Sequence, residues 1–291
     1  MGSLQVLLAG ACFGFLGIFA KWAYSLGFSV GEVLTFRFLI AALVLGAALA
    51  IFKREWLVLP RRQVVISLLL GLLGYAVFST LYFVSIKGIT VGLAALLLFT
   101  FPLFVNIGAV VFLKERLTPL RALSLVIAGT GLVLLVWGDW SVEKVSAVIA
   151  GIGAALAYAG YVLISGVVQK DVRPLSSSFY VMIGASLGLA LYHHPSPTAW
   201  IEWPPERFVV LLGIAVICTI APLTLFLSGL QKMSSSRASL LVMIEPVVAT
   251  IAGAVIFQER LSAVQSVGAG LILSALVLNR RPEIPTNAPP A

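Results

Sequence analysis

The chain has 291 residues, of which 60% are hydrophobic and only 10% are charged, and its mean hydropathy is +1.10. Average soluble domains carry roughly 25% charged residues, so this composition excludes a soluble protein and predicts an integral membrane protein in contact with the lipid bilayer. The net charge of +8 does not indicate nucleic-acid binding, because the basic residues lie in short gaps between apolar runs.

The apolar runs predict an all-α integral membrane protein with ten transmembrane helices. Each run is close to the length of about 20 residues that a spanning helix needs. Spanning strands would be shorter, at about 9–11 residues, and would alternate in polarity. In chain order the predicted spans are roughly 4–24, 31–52, 63–84, 91–113, 119–137, 146–168, 175–192, 207–229, 237–257 and 262–279.

The distribution of lysine and arginine over the gaps predicts the orientation. With a cytoplasmic N-terminus, thirteen basic residues fall on the inner side and four on the outer side. This inner excess is the usual bias, so both termini are expected in the cytoplasm of a bacterium, with the protein in its inner membrane. The inner residues are Lys53, Arg54, Arg61, Arg62, Lys114, Arg116, Arg121, Lys170, Arg173, Lys232, Arg237, Arg280 and Arg281, and the outer residues are Lys87, Lys144, Arg207 and Arg260.

An internal repeat appears when the chain is shifted by 144 residues. The segment AALLLFTFPLFVNIGAVVFLKERLT (94–118) then falls on ASLLVMIEPVVATIAGAVIFQERLS (238–262). Nine of the 25 positions are identical, among them the pair Pro102 and Pro246 and a shared Glu-Arg-Leu triplet. Apolar composition alone does not account for these matches in one register.

Each repeat unit holds five predicted helices, and this odd number turns the second unit upside down in the bilayer. The predicted domains are residues 1–140 and 141–280, followed by a disordered, proline-rich tail at 281–291. Inverted repeats that meet at a midplane site are a recurring plan of secondary transporters. The repeat therefore predicts transport by alternating access.

The two halves resemble the drug/metabolite transporter superfamily, and more narrowly its EamA-like branch. The resemblance is carried by LLLFTFPLFVNIGAVVFLKERLTPLRALSLVIAGTGLVLL in the first half and LLVMIEPVVATIAGAVIFQERLSAVQSVGAGLILSALVL in the second. It implies ten helices around a central cavity lined mainly by helices 1, 3, 4, 6, 8 and 9. It also implies an exporter of amino acids, aromatic ones among them, or of similar small metabolites.

Aromatic and uncharged polar side chains at mid-span positions are the candidate substrate-binding residues. Such a lining suits a neutral or zwitterionic solute with an apolar part, and it suits polyanions poorly because mid-depth basic residues are missing. For each aromatic residue, packing against lipid or a neighbouring helix is the alternative. The candidates are Tyr75, Phe78, Tyr82, Phe99, Phe101, Asn106, Tyr158, Tyr161, Thr219 and Glu245.

Three prolines inside the spans are candidate hinges: Pro102, Pro222 and Pro246. A proline inside a helix removes one donor and frees the carbonyl four residues before it, which for Pro246 is that of Val242. A static kink that only shapes the packing is the alternative. The 144-residue shift places Phe78 opposite Pro222, so helix 3 lacks this proline and the two halves are not expected to be mechanically identical.

Glu245 is the one carboxylate at mid-depth in the predicted spans, and a charge there is unfavourable by roughly 2.5–3.5 kcal/mol. It can face water in a cavity, pair with a cation, or stay protonated. A proton-linked role and a structural role beside Pro246 are both open. Arg37 lies further out in helix 2, where its side chain is expected either to reach the membrane surface or to capture a solute carboxylate.

The sequence predicts no enzyme, no catalytic residue, no cofactor and no metal site. It has no paired catalytic set of the kind intramembrane proteases use, no metal-ligand spacing and no phosphate-binding glycine loop. The alternatives to an amino-acid exporter are uptake or multidrug-type transport of another small solute, and a membrane scaffold without transport. Because both halves are fused in one chain, a monomer is expected.

Overall fold

The computed structural model describes residues 1–138, 140–195, 204–258 and 260–279, and most of these residues are helical. The described residues form no β-strand, and they contain one isolated antiparallel bridge. The predicted tail at 281–291 lies outside the described residues. The helices are α1 (Gly2–Ser25), α2 (Val30–Phe52), α3 (Arg61–Ile86), α4 (Val91–Leu113), α5 (Pro119–Leu135), α6 (Val145–Val168), α7 (Pro174–His193), α8 (Pro205–Leu230), α9 (Ser235–Phe257) and α10 (Ala263–Leu278).

Eight of these helices are long and apolar enough to cross a membrane. The two shorter ones are α5 with 17 residues and α10 with 16 residues. Each helix begins and ends within two residues of its predicted span. The prediction of an all-helical, multi-pass membrane protein is confirmed, while the crossing of the bilayer by α5 and α10 stays a prediction.

Side-chain caps fix where several helices begin. At the start of α2, the Ser29 side chain accepts the Glu32 N–H, and the Ser29 N–H donates to the Glu32 carboxylate at 2.8 Å. Ser262 and Gln265 form a second capping box of this kind at the start of α10. Such caps satisfy backbone donors that the first turn of a helix leaves without a partner.

Helices α4 and α9 are each interrupted near the middle by a tight turn, so each consists of two segments. Pro102 and Pro246 stand in the first turn of the second segment, where a missing N–H breaks no intrahelical hydrogen bond. The break therefore precedes each proline. The segments are Val91–Leu98 and Phe101–Leu113 in α4, and Ser235–Leu241 and Ile244–Phe257 in α9.

The prediction that Pro246 leaves the Val242 carbonyl free is wrong. The Glu245 N–H donates to this carbonyl at 3.0 Å. The turn between the two segments of α9 is tighter than an α-helix. The Val242 carbonyl therefore accepts from the N–H three residues later, that of Glu245, in place of the position four residues later, which Pro246 occupies. The backbone next to Pro246 thus offers Glu245 no vacant acceptor at Val242.

Helices α3 and α8 each contain a π-helical segment, Leu70–Tyr75 in α3 and Val216–Ile220 in α8. Pro222 lies two residues after the end of the α8 segment, so the irregular backbone of α8 adjoins this proline. Helix α3 has Phe78 in place of that proline, yet it also deviates from the α-helix at the matching depth. There Gly71 lies against the Val181 carbonyl of α7 with no room for a Cβ atom, so the backbones meet directly.

The shorter helices α5 and α10 pack backbone against backbone. A Cβ atom on Gly131 would lie 2.7 Å from the Gly268 carbonyl oxygen, and one on Gly268 would lie 2.5 Å from the Leu135 nitrogen. At Gly129 and Gly270, in contrast, an added Cβ atom would stand in open space. Small residues at such contacts let membrane helices approach closely, which strengthens van der Waals packing between them.

A set of backbone hydrogen bonds joins two loops at one end of the bundle. The Gly88 carbonyl, between α3 and α4, accepts the N–H groups of Glu143 at 3.0 Å and Lys144 at 3.1 Å. The Thr90 N–H donates to the Ser141 carbonyl at 3.3 Å. The loop between α3 and α4 is thereby fastened to the loop between α5 and α6.

Gly268→Ala is expected to lower the thermal stability of the detergent-solubilised protein, because the added Cβ forces α5 and α10 apart. Overpacking of this kind is unfavourable by about 1–3 kcal/mol. Gly270→Ala, two residues away on an open face, is the matched control and should leave stability unchanged or raise it. Equal melting temperatures for the two variants would contradict the backbone contact.

Candidate functional site

Five of the predicted aromatic residues pack together where α3, α4 and α6 face one another. Tyr75 and Phe78 come from α3, Phe101 from α4, and Tyr158 and Tyr161 from α6. All five side chains are buried. We call this group the aromatic cluster.

Tyr158 lies at the centre of the aromatic cluster. Its ring centroid is 4.5 Å from that of Phe78 and 4.4 Å from that of Phe101. Tyr75 contacts Phe78 at 4.7 Å and Tyr161 at 5.4 Å between centroids. Aromatic pairs at these distances contribute about 0.5–1.5 kcal/mol beyond the burial of their area. The cluster thus fills the space between three helices in this conformation, where the sequence led us to expect an open lining.

Two predicted polar residues brace the irregular backbone. Asn106 donates through Nδ2 to the Pro102 carbonyl at 2.8 Å, and both side chains are buried. Thr219 lies in the π-helical segment of α8 and donates through Oγ1 to the Ile214 carbonyl at 3.0 Å. Each of these buried polar side chains thus has a hydrogen-bond partner within its own helix, next to the irregular segment, which offsets the cost of burying it.

Tyr82 and Phe99 differ from the aromatic cluster because they remain partly exposed. Phe99, at the break of α4, has its ring centroid 6.5 Å from that of Phe101 and so borders the cluster. Tyr82 is one turn beyond Phe78 on α3 and lies deep among the helices, yet part of its side chain stays open. Tyr82 therefore borders interior space.

Glu245 stands at the break of α9, directly before Pro246. It lies deep inside the bundle, yet its side chain keeps part of its surface open, as that of Tyr82 does. Among the described residues, the carboxylate has no hydrogen-bond or ion-pair partner. It lies within electrostatic range of Arg37, Tyr75 and Tyr82. Glu245 thus faces the interior beside the aromatic cluster.

Arg37 is the functional candidate whose position the sequence left open. The expectation that its side chain reaches the membrane surface is wrong, because Arg37 is only 4% exposed. Its guanidinium lies 4.5 Å from the ring centroid of Phe38, whose ring is 4.9 Å from that of Tyr75. The face that Arg37 presents cannot be read from its sequence neighbours, since α2 is apolar on all sides.

Two cavities of about 340 Å³ each lie beside the central helices. The first is an apolar groove between α3 and α6, at the π-helical segment of α3, and Tyr161 forms part of its wall. The second lies near the ends of α2, α3 and α7 and is lined by polar groups that include Thr80, Lys87 and His193. Of the predicted site residues, only Tyr161 lines either of these cavities.

The sequence matches the family described as the EamA-like transporter family over residues 1–137 and again over residues 145–281. It is similar to the uncharacterized transporter YcbK of Bacillus subtilis, with 25% identity over 282 residues, or 92% of this chain and 89% of that protein. An uncharacterized transporter of Archaeoglobus fulgidus is 30% identical over 213 residues, or 71% of this chain and 75% of that protein.

The chain is also similar to the threonine/homoserine exporter RhtA of Salmonella typhimurium. The two are 25% identical over 257 residues, or 83% of this chain and 82% of the exporter. One protein of known crystal structure has the same fold, with a TM-score of 0.80 over 96% of both chains at 19% identity.

Tyr158→Ala is expected to destabilise the protein strongly, because it removes the central ring of the aromatic cluster. Replacing a large buried aromatic residue by alanine is unfavourable by about 3–5 kcal/mol. Tyr82→Ala should change stability much less, since Tyr82 is partly open. Thermal unfolding of both variants in detergent measures this difference, and Tyr158→Phe, which keeps the ring, is the control. A Tyr158→Ala variant as stable as Tyr158→Phe would contradict the packing role.

Proposed function

Because this chain belongs to the EamA-like transporter family, we propose that it exports neutral or aromatic amino acids, or similar small metabolites, across the bacterial inner membrane. The observation that carries this proposal is the similarity to the threonine/homoserine exporter over 83% of the chain. The family and its relatives are transporters, which agrees with the prediction that the chain is not an enzyme.

The proposed architecture has ten transmembrane helices in two inverted five-helix repeats, residues 1–140 and 141–280. The family match to each half supports this division. The ends of α4 and α9 support it as well. Lys114 and Gln258, which are 144 residues apart, follow these helices and both have a φ of 56°. Non-glycine residues rarely adopt this conformation, so its recurrence at matched positions favours a shared ancestral unit.

The pattern of helix packing also supports an inverted repeat. Helix α1 packs on α8 and on α9, and the matching helix of the second half, α6, packs on α3 and on α4. Helices α5 and α10, which match each other, pack together, as do α2 and α7. A twofold relation between the halves produces this set of pairs. In a chain with five helices per half, the axis would lie in the membrane plane.

Alternating access would use the irregular segments as hinges. The breaks before Pro102 and Pro246 and the π-helical segment before Pro222 lie in α4, α9 and α8, and α3 has a π-helical segment of its own. Interrupted helices in corresponding positions of two halves often mark the binding site of a secondary transporter. The proposed substrate site lies between these four helices and α6, where the aromatic cluster, Tyr82 and Glu245 are found.

The proposed ligand is a small solute with an apolar part. The aromatic cluster offers apolar surface, and rearrangement of its rings would open room for a side chain of the solute. Asn106 and Thr219 would stabilise the hinges beside the site. Because both halves needed for a pathway are in one chain, the proposed active unit is a monomer. Both of its termini are proposed to lie in the cytoplasm.

The substrate class can be tested by flux into proteoliposomes that contain the purified protein. We expect saturable uptake of at least one of L-threonine, L-homoserine, L-phenylalanine and L-tryptophan above protein-free liposomes. Tyr82→Ala should lower the flux of the aromatic amino acids more than that of threonine, because contact with a large side chain is lost. Tyr192→Ala, an exposed tyrosine on α7, is the control. Transport of a nucleoside or sugar without any amino acid would reject amino-acid export, and no transport of either would favour a scaffold.

The orientation can be tested by fusing reporters after single residues. Fusions after residues 60 and 118 are expected in the cytoplasm, and fusions after residues 140 and 260 in the periplasm, because α5 and α10 then cross in opposite directions. Paired reporters that are active on only one side of the membrane provide the measurement. If fusions after 118 and 260 report the same side, the inverted repeat is rejected.

A further inference from the structure

Arg37 is a buried cation without a matching anion in contact. Its side chain is 4% exposed, and its Nε has no hydrogen-bond partner among the described residues. The ring of Phe38, 4.5 Å from the guanidinium, supplies only a cation–π contact. Charged residues inside membrane-spanning segments are unfavourable unless they are paired, and such residues commonly mark substrate pathways. Arg37 is therefore poised to receive an anionic group.

The surroundings of Arg37 place it beside the proposed substrate site. Phe38 connects it to the aromatic cluster, because the rings of Phe38 and Tyr75 are 4.9 Å apart. Four other helices each place one titratable side chain within electrostatic range of Arg37. These side chains are Tyr24 of α1, Tyr75 of α3, Cys218 of α8 and Glu245 of α9.

Glu245 is the opposite charge in the same region. Like Arg37, it lies within electrostatic range of Tyr75 and Cys218, so the two charged groups share neighbours on α3 and α8. They do not form an ion pair, since no nitrogen of Arg37 lies within 4.0 Å of a carboxylate oxygen of Glu245. The Glu245 side chain also keeps part of its surface open. Two opposite charges thus face one interior region without touching.

We propose that Arg37 and Glu245 are the two poles of a zwitterion-binding site. The Arg37 guanidinium would bind the carboxylate of an amino acid, and the Glu245 carboxylate would bind its ammonium group. A guanidinium presents paired donors that match a carboxylate, so Arg37 suits the first role. The adjoining aromatic cluster would receive the side chain. This inference rests on the proposed export of amino acids.

The site would discriminate by charge. A bound amino acid pairs both protein charges, whereas an amine without a carboxylate leaves Arg37 unpaired and an acid without an ammonium group leaves Glu245 unpaired. An unpaired buried charge is strongly unfavourable, so each analogue should bind roughly 10- to 100-fold more weakly than the amino acid. Exclusion of inorganic ions and of simple amines would follow from the same arrangement.

The test measures competition against the flux of labelled L-phenylalanine or L-threonine in proteoliposomes. The competitors for phenylalanine are 2-phenylethylamine, which lacks the carboxylate, and 3-phenylpropionate, which lacks the ammonium group. For threonine they are 1-amino-2-propanol and 3-hydroxybutyrate. Arg37→Gln should abolish discrimination against the amine while keeping it against the acid. Glu245→Gln should do the reverse, and this crossed pattern is one that a merely structural role would not produce.

The chain offers matched controls. Arg207 also lies over a phenylalanine ring, that of Phe28 at 5.0 Å, but its Nε already donates to the Leu26 carbonyl at 2.9 Å. Arg207→Gln should therefore leave discrimination unchanged. Arg37→Lys and Glu245→Asp keep the charges and are expected to fold where the glutamine variants do not. Arg37→Lys should weaken only the discrimination against the amine, and Glu245→Asp only the discrimination against the acid.

The double variant separates the proposal from a structural charge pair. If Arg37 and Glu245 only neutralised each other, the Arg37→Gln, Glu245→Gln protein would regain wild-type flux and discrimination, which would overturn the proposal. If they bind the zwitterion, the double variant should lose discrimination against both analogues. Wild-type protein that moves no amino acid rejects the proposed function and this site with it. Wild-type flux with unaltered discrimination in both single variants rejects the zwitterion site alone.

Discussion

The structure depends on one constraint: in hydrocarbon, every backbone N–H and C=O group must find its partner within the protein. Most of the described chain meets it with regular helices. At the break of α4 the Thr100 hydroxyl donates to the Leu97 carbonyl at 2.6 Å, and at the break of α9 the Glu245 N–H donates to the Val242 carbonyl at 3.0 Å. Both irregular turns thus keep hydrogen-bond partners for these carbonyl groups, as a break at this depth requires.

Much of the fold could be predicted from the sequence because it depends on local composition. The apolar runs define the helix bounds, and the residues around Pro102 and Pro246 carry the family resemblance, which the family match confirms. The prolines also indicated correctly that α4 and α9 are irregular. These features could be predicted because each is encoded in one contiguous stretch of residues.

The features that could not be predicted depend on contacts between distant parts of the chain. The π-helical segment of α3 contains no proline, and it coincides with a backbone contact between Gly71 and Val181, 110 positions apart. Ring packing around Tyr158 requires the relative rotation of α3, α4 and α6, which no single helix specifies. The burial of Arg37 is of the same kind. Its neighbours on α2 are apolar in every direction, so only the arrangement of the other helices determines whether it faces lipid or the interior.

The hydrogen bonds of Gly88 and Thr90 to the loop between α5 and α6 have a mechanical consequence. They tie the junction of α3 and α4 to the segment that leads into the second half, so at this end of the bundle these two loops form one unit. A conformational change that separated α3 from α6 here would have to break three backbone hydrogen bonds at once. Any widening of the bundle at this end that keeps these bonds would therefore move the two loops, and with them the α3–α4 junction and the start of α6, as one body.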